Sequence, residues 1–531
     1  MPPFLPLLIV LLAVIALTGA IARRVSAPLP VLLALAGFAL AALPGVPRVP
    51  LDPSLILVLF LPPLLYADAF NTSWVDFKRW LRPILMLAIG LVGFTILTVG
   101  LVAHALIPGL PWAACFTLGA IVSPTDTVAV QAVLERLRIP RRMTAVLGGE
   151  SLVNDATGLV GVQIGVAVLL SGAFQASEVV SRFLWVAGGG IVVGLTAGVL
   201  FWQLNRLVCE TKALFVLSVL APYLALVTAE HLHTSGVLAV VTAGFVVSWR
   251  IDVIPPAARV DLYAAWELVV YVLNALCFVF IGLETPSVLA DIGVAKDEGL
   301  IPAGLAVTAT VVLSRLLWIF PGAYVPLRLS PRLRAREGGY PPARSVLVVG
   351  WCGVRGVVSL AAALSLPLAL EDGTPFPGRN EILFCTLCVI LGTLVAQGLT
   401  LLPLIRRLGI REDEDGDADV RAAREALLAA GIRRLDAYCT ETSCPIAVHH
   451  WRELMNDELA TLREADDEAR RLASTRLSIS TDVRKEVVFA QTNELVRLRD
   501  AGTINDRTYL DLQLELDRQR VGLGGVEAVP G

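Results

Sequence analysis

Long apolar runs recur over residues 1–408, each broken from the next by a short polar or Pro/Gly-rich stretch, and each approaches the roughly 20 residues a helix needs to cross a bilayer. The pattern predicts thirteen spanning helices with cores at 4–22, 29–43, 52–70, 82–107, 111–134, 146–170, 183–208, 211–230, 235–249, 262–283, 300–325, 345–370 and 381–405. Past Arg406-Arg407 the apolar runs stop, and the acidic stretch Glu412 to Asp417 reads as a hinge. The predicted division is therefore a transmembrane domain, 1–410, and a helical tail, 411–531. In the tail, apolar residues at three- and four-residue spacing predict helices over 421–437, 447–475, 482–501 and 506–520. Thr481 and Asn505 are the expected N-caps of the last two, with Gly502 as the stop between them.

Two spans carry breakers at their centres. The fifth is interrupted at Ser123-Pro124 and the twelfth between Gly350 and Gly356. If spans 1–6 and 8–13 are two halves of opposite topology, these are the fifth span of each, and interrupted segments at matching positions point to a transporter's binding site.

Composition agrees with the pattern: 56% hydrophobic, 17% charged, with a mean hydropathy of +0.72. Those values exclude an ordinary soluble enzyme and require an all-α polytopic membrane protein. The N-terminus has no basic residue before its first apolar run, so the first span is expected to stay uncleaved. Lys and Arg number 18 in loops after odd spans, among them Arg23, Arg82, Arg136, Arg138 and Arg142. Loops after even spans hold only 4, Arg48, Arg182, Lys296 and Arg379. The imbalance predicts an outside N-terminus and a cytoplasmic tail, with the chain in the cell's inner (plasma) membrane. Cys385 and Cys388 form a C-x-x-C on an apolar span, where a packing role is expected. In the tail, Cys439, Cys444, His449 and His450 have the chemistry of zinc ligands, but their spacing matches no standard structural site, and no bound cofactor is expected.

An ionisable group at bilayer depth costs about 2.5–3.5 kcal/mol even on the lenient insertion scale, so Asp126 and Asp155, inside otherwise apolar spans, are expected to serve an ion path. Asp126, just past the first break, is placed to neutralise the exposed N–H groups of a half-helix, and Arg355, just past the second, the exposed carbonyls. In the sixth span Ser151 and Asp155 share one stripe, and Glu150 and Asn154 the adjacent one. A hydroxyl and a carboxylate are hard ligands suited to alkali cations, and Thr125 could add its carbonyl and hydroxyl. Asp155 is the expected carrier. Glu150 needs a partner if it stays charged, and Arg315 within the eleventh span is the candidate. Asp68 could reach the same site from the third span or face the headgroups. Dehydration favours a carboxylate's protonated form and a bound cation its ionised form, so proton and cation compete for Asp155. With Asn154 unable to ionise, the simplest exchange is one proton for one monovalent cation.

These residues resemble the monovalent cation:proton antiporter-1 family, the NhaP-type and sodium/proton exchanger group. The resemblance is carried by Phe60-Leu61-Pro62-Pro63-Leu64-Leu65, Ser123-Pro124-Thr125-Asp126, Gly149-Glu150-Ser151-Leu152-Val153-Asn154-Asp155, Arg315, and the string from Gly353 to Leu360. The stretch Ala501 to Asp506 is similar to the tail of the bacterial form. The resemblance implies a homodimer of thirteen-helix protomers, each with a dimerisation domain and a mobile core working as an elevator. It also implies cation binding at Thr125, Ser151 and Asp155, with the Asn154–Asp155 pair marking electroneutral members, and a role in pH homeostasis. The family commonly places an acid directly after the aromatic of the third-span motif. Here that position is Ala67, and the acid follows at Asp68, about 100° further round a helix.

Three other readings compete with Na+ (or Li+)/H+ exchange. A K+/H+ or mixed exchanger would use the same ligand types. An intramembrane aspartyl protease would pair Asp126 with Asp155, but the Gly-x-Gly-Asp and Tyr-Asp strings of such enzymes do not occur, so a non-enzyme is expected. A membrane sensor driven by its tail would make Asp155 dispensable.

Overall fold

The computed structural model describes residues 4–22, 24, 28–43, 53–126, 130, 134, 139–171, 176–208, 210–251, 254–292, 299–369, 374–410, 414–441, 446–463, 487–498, 512–513, 516 and 518–519. Outside them lie Arg23, Arg48, Arg136, Arg138 and Lys296 of the loop tally, and in the tail Cys444, Thr481, Gly502, Asn505 and the stretch 501–506. The chain divides into two compact units, Met1–Glu412 and Asp413–Gly531.

The named elements in the described part of the first unit are all helices, beside one isolated bridge between Ala369 and Pro375. In chain order the helices are α1 (Phe4–Ala22), α2 (Leu29–Ala41), α3 (Pro53–Asn71), α4 (Trp74–Arg79), α5 (Leu81–Leu85) and, after a π-turn at Met86–Leu91, α6 (Val92–Leu106). Then come α7 (Trp112–Val122), α8 (Arg141–Ser171), α9 (Ala176–Leu207), α10 (Thr211–His231), α11 (Gly236–Trp249), α12 (Pro256–Ile292), α13 (Leu300–Leu329) and α14 (Pro331–Arg336). The broken pair α15 (Ala343–Trp351) and α16 (Val357–Leu364) precedes α17 (Arg379–Leu408). Among the described residues seven helices are long and apolar enough to cross a membrane, and five shorter apolar helices stand beside them. Leu81–Leu106, with its π-turn, is one of the seven.

Packing sorts these helices into two bundles. In one, α2 lies along α12, α9 along α11, and α3 and α10 fill between them; in the other, α6, α7, α8, α13 and α17 surround the broken pair. Without a hydrophobic drive between helices in lipid, close backbone approach through small residues does the work. Gly190, Gly194 and Gly198 form such a stripe on α9, and a Cβ at Gly198 would stand 2.7 Å from Val246 on α11. The π-turn leaves its Met86 carbonyl to accept from the Trp318 indole N–H of α13 at 3.0 Å.

Two arginines counted as loop charge are engaged in the fold. Arg82 chelates Glu337 through Nε and Nη2 at 2.5 and 2.9 Å. Arg142 donates to the same carboxylate at 3.1 Å and lies 4.2 Å from the centre of the Trp80 ring. Glu337 thus ties the starts of α5 and α8 to the end of α14.

The second unit contains α18 (Glu414–Glu441) and α19 (Ile446–Arg463), with further helix at 487–498. The boundary between the two units falls at the start of the acidic stretch, between Glu412 and Asp413, and its later residues, Glu414 to Asp417, lie in α18. Cys439 is disulfide-bonded, so its sulfur is no thiolate ligand, and His449 Nδ1 lies 3.1 Å from Arg452 Nη2.

Candidate functional site

Chain breaks on α7 and between α15 and α16 meet inside the second bundle, where each supplies what the other lacks. Pro124 has no N–H to continue α7, which stops at Val122 and leaves its last carbonyls without helical partners. Arg355, from the opposite break, donates its Nε to the Val122 carbonyl at 2.9 Å and Nη1 to Gly353. Its own N–H is held by Thr393 of α17 at 3.0 Å. In return the Asp126 N–H donates to the Val354 carbonyl at 2.7 Å. The Asp126 carboxylate lies against Gly356, the residue that opens α16, where a negative charge meets the positive end of a half-helix. A Cβ at Gly356 would collide with that carboxylate.

Arg315 of α13 treats the other carbonyl end the same way. Its Nε and Nη2 donate to Gly350 and Val349 at 3.1 and 3.0 Å, closing the last turn of α15. The remaining donors chelate Glu150 of α8, Nη2 to Oε2 at 2.8 Å and Nη1 to Oε1. Both side chains are buried, 0% and 2% exposed, so neither charge has water as an alternative partner.

Thr125 is the junction between the first break and α8. Its hydroxyl donates to Glu150 at 3.2 Å and accepts from the Asn154 amide at 2.8 Å, while its carbonyl accepts from the Ser151 hydroxyl at 3.2 Å. Asp155, four residues beyond Ser151, is buried, and its carboxylate makes no hydrogen bond among the described residues. It faces a cavity of about 50 Å³ lined by Asp68, Thr125, Asp126, Ser151, Asn274 and Ser359, with Leu61, Leu64 and Leu65 of α3 on its apolar side. That is room for a few water-sized particles, at about 10–15 Å³ each. Three carboxylates, three hydroxyls and an amide therefore surround a space that fits a small partly hydrated cation or protons.

The cavity sits on the seam between the two bundles: Asp68 and Asn274 come from one, the other polar groups from the second. Asp68 faces the cavity, and Ala67 is buried against the core. Asn274, in the middle of the apolar run Val272-Leu273-Asn274-Ala275-Leu276, was missed by sequence reasoning; a polar residue in that setting was the available signal. Ser359 was missed as well, and its buried hydroxyl has no partner among the described residues. The capping of α15 by Arg315 had no signal in the sequence, because nothing in it brings α13 against that break.

Comparison with known proteins agrees with this geometry. The family model for the transmembrane sodium/hydrogen exchanger matches residues 9–407. A Na+/H+ exchanger of Mycobacterium tuberculosis is 34% identical, the match covering 98% of this chain and 96% of the relative. The sodium, potassium, lithium and rubidium/H+ antiporter of Bacillus subtilis is 31% identical over 95% of this chain and 76% of its own length. Among solved structures, the sodium proton antiporter MjNhaP1 from Methanocaldococcus jannaschii at pH 8 shares the fold with a TM-score of 0.60 at 21% identity, covering 75% of this chain and 97% of that one. A multi-pass helical chain with a buried acidic cavity at two facing helix breaks, matched over nearly all its membrane domain, belongs to the sodium/hydrogen exchanger family of cation/proton antiporters.

Proposed function

We propose that the chain exchanges Na+ or Li+ for H+ one for one, both competing for Asp155. The observation that carries this reading is the Asp155 carboxylate itself, without a hydrogen bond among the described residues, lining a polar cavity beside Thr125 and Ser151. A bound cation takes the carboxylate with those oxygens; a proton neutralises it and releases the cation. Only an occupied carboxylate crosses easily, because moving a bare charge through low-dielectric surroundings is costly. Exchange is therefore obligatory. Asp126, Glu150, Arg315 and Arg355 act as the frame, and Asp68 as an acidic wall of the cavity. The site's position on the seam between two bundles supports an elevator-like movement of one against the other. The proposed setting is the plasma membrane, N-terminus outside and tail in the cytoplasm, with the chain as a homodimer serving pH homeostasis.

A second reading, a mixed exchanger that also carries K+, is favoured by one observation: the Bacillus relatives are named for sodium, potassium, lithium and rubidium. Transport in vesicles with an imposed pH gradient separates the two. Wild type is expected to dissipate the gradient with Na+ and Li+, and Asp155→Asn to abolish the flux. Equal rates with K+ select the second reading; cation-dependent flux that survives Asp155→Asn removes both.

A further inference from the structure

A large apolar cavity of the membrane unit lies away from the acidic site, on the same seam between the bundles. It measures about 490 Å³, within the ~300–1,000 Å³ that small-ligand sites occupy. One wall is α9 and α11, through Phe183, Ala187, Leu195 and Thr242; the other is α4, α5, the π-turn and α8, through Trp74, Ile89 and Val160. Along α9 the lining runs from Phe183 to Leu195, which spans about 18 Å of helix. That length is close to the ~15 Å depth of one leaflet's hydrocarbon.

Its two ends differ in chemistry. Trp74 and Trp249 line the end where α4 begins and α11 stops. The Lys78 ammonium stands 5.0 Å from the Trp74 ring centre, and the Arg250 guanidinium 5.6 Å from that of Trp249. Arg206 and Arg250 both lie over Trp202 on α9, at 5.4 and 5.2 Å. The nearby carboxylate of Asp76 is already paired with Arg141 at 2.8 Å. One end therefore presents several cations and indoles, and the far end is lined by apolar side chains, with the exposed Arg182 beside Phe183.

We propose that this cavity is a site for one anionic phospholipid, an acyl chain filling the apolar space and the headgroup phosphate held by Lys78 and Arg250. A second copy of the chain fits less well, because the cavity is a slot between helices of one protomer and, beyond the Asp76–Arg141 pair, the charges at its polar end are cationic. The lipid occupies the seam on which the bundles meet, so it acts as a wedge that opposes their relative movement.

The test uses the full-length protein, delipidated in mild detergent and titrated with phosphatidylglycerol or phosphatidylcholine under native mass spectrometry. One phosphatidylglycerol per protomer is expected to survive activation. Ala187→Phe and Thr242→Leu, which fill the slot, are expected to lower its retention at least 10-fold with unfolding temperatures unchanged. Lys78→Ala with Arg250→Ala is expected to remove the preference for phosphatidylglycerol while leaving a lipid bound. Quenching of Trp74 fluorescence by phospholipid with brominated chains, read as the difference from Trp74→Phe, is expected in wild type and to fall in Ala187→Phe. Equal retention of the two lipids by wild type, or unchanged retention and quenching in both filled variants, overturns the proposal. A change in oligomeric state on filling the slot, with retention unaltered, assigns the slot to a second copy and also overturns it.

Discussion

The Asn154 amide donates to the Thr125 hydroxyl at 2.8 Å, so Asn154 holds the first chain break while its neighbour Asp155 is left to face the cavity. About 100° of helix separates the two side chains, enough to give adjacent residues different work. Removing one neutral hydrogen bond costs about 0.5–1.5 kcal/mol, or roughly 2- to 12-fold in an equilibrium constant. Asn154→Ala is accordingly expected to raise the KM for Na+ by about that factor in vesicles, through a displaced Thr125. Asn154→Asp has a different expected outcome. It puts a second ionisable group beside Asp155, and exchange that ignores an imposed voltage in wild type is expected to become voltage-dependent. A wild type that already responds strongly to voltage contradicts one-for-one exchange.

Glu150 and Arg315 form a buried pair whose arginine also closes the last turn of α15. Breaking a buried pair by removing one partner costs about 3–5 kcal/mol, because the other charge is stranded. Glu150→Gln and Arg315→Leu are both expected to lower the unfolding temperature of purified protein sharply, Arg315→Leu the more because the Val349 and Gly350 carbonyls lose their donors too. Exchanging the two residues should not restore stability, since a glutamate at 315 has no N–H for those carbonyls. Full recovery in the swapped variant would show the capping bonds to be unimportant.

Gly356 is required by close approach and not by its backbone angles, whose φ of −139° is open to any residue. The space a Cβ would need is taken by the Asp126 carboxylate. Gly356→Ala is therefore expected to push Asp126 from the start of α16 and reduce exchange, with Gly356→Val worse in proportion to its volume. Folded yield and transport rate should be measured together. A normal rate in Gly356→Ala would mean that the carboxylate's position at that helix end does not matter.

Most of the bundle was legible because membrane spans announce themselves one at a time, by local apolar length and by Pro or Gly at a break. The same local logic located Asp126 and Arg355 just past the breaks, and Ser151 with Asp155 on one stripe of α8. It could not show that the compensation is crossed. Arg355 serves the carbonyl end of α7, while Arg315 serves that of α15. That assignment depends on which helices touch, which is tertiary information. The acidic stretch marked the boundary between the two units but not its own conformation, since α18 already starts at Glu414. In the sequence Arg82 and Arg142 are topology signals only, whereas in the fold a carboxylate 195 residues or more away, Glu337, engages both.

Asn274 offers a discriminating test, because it lines the cavity from α12 and its side chain makes no hydrogen bond among the described residues. A side chain that holds no structure can be changed without structural damage, so any effect of Asn274→Ala reports on the cavity's contents. Its amide carbonyl is a neutral oxygen on the wall opposite Asp155, and such a ligand contributes most to a cation large enough to touch both walls. Asn274→Ala is thus expected to leave the unfolding temperature within about 1 °C of wild type while shifting the ratio of K+ to Na+ rates by about 2- to 12-fold, the span of one neutral polar contact. Asn274→Asp places a fourth carboxylate around the same space. It is expected to slow exchange by repelling the ionised form of Asp155, with the loss relieved by raising cation concentration. Parallel loss of stability and of all cation rates in Asn274→Ala would instead make the residue part of the frame, beside Glu150 and Arg315.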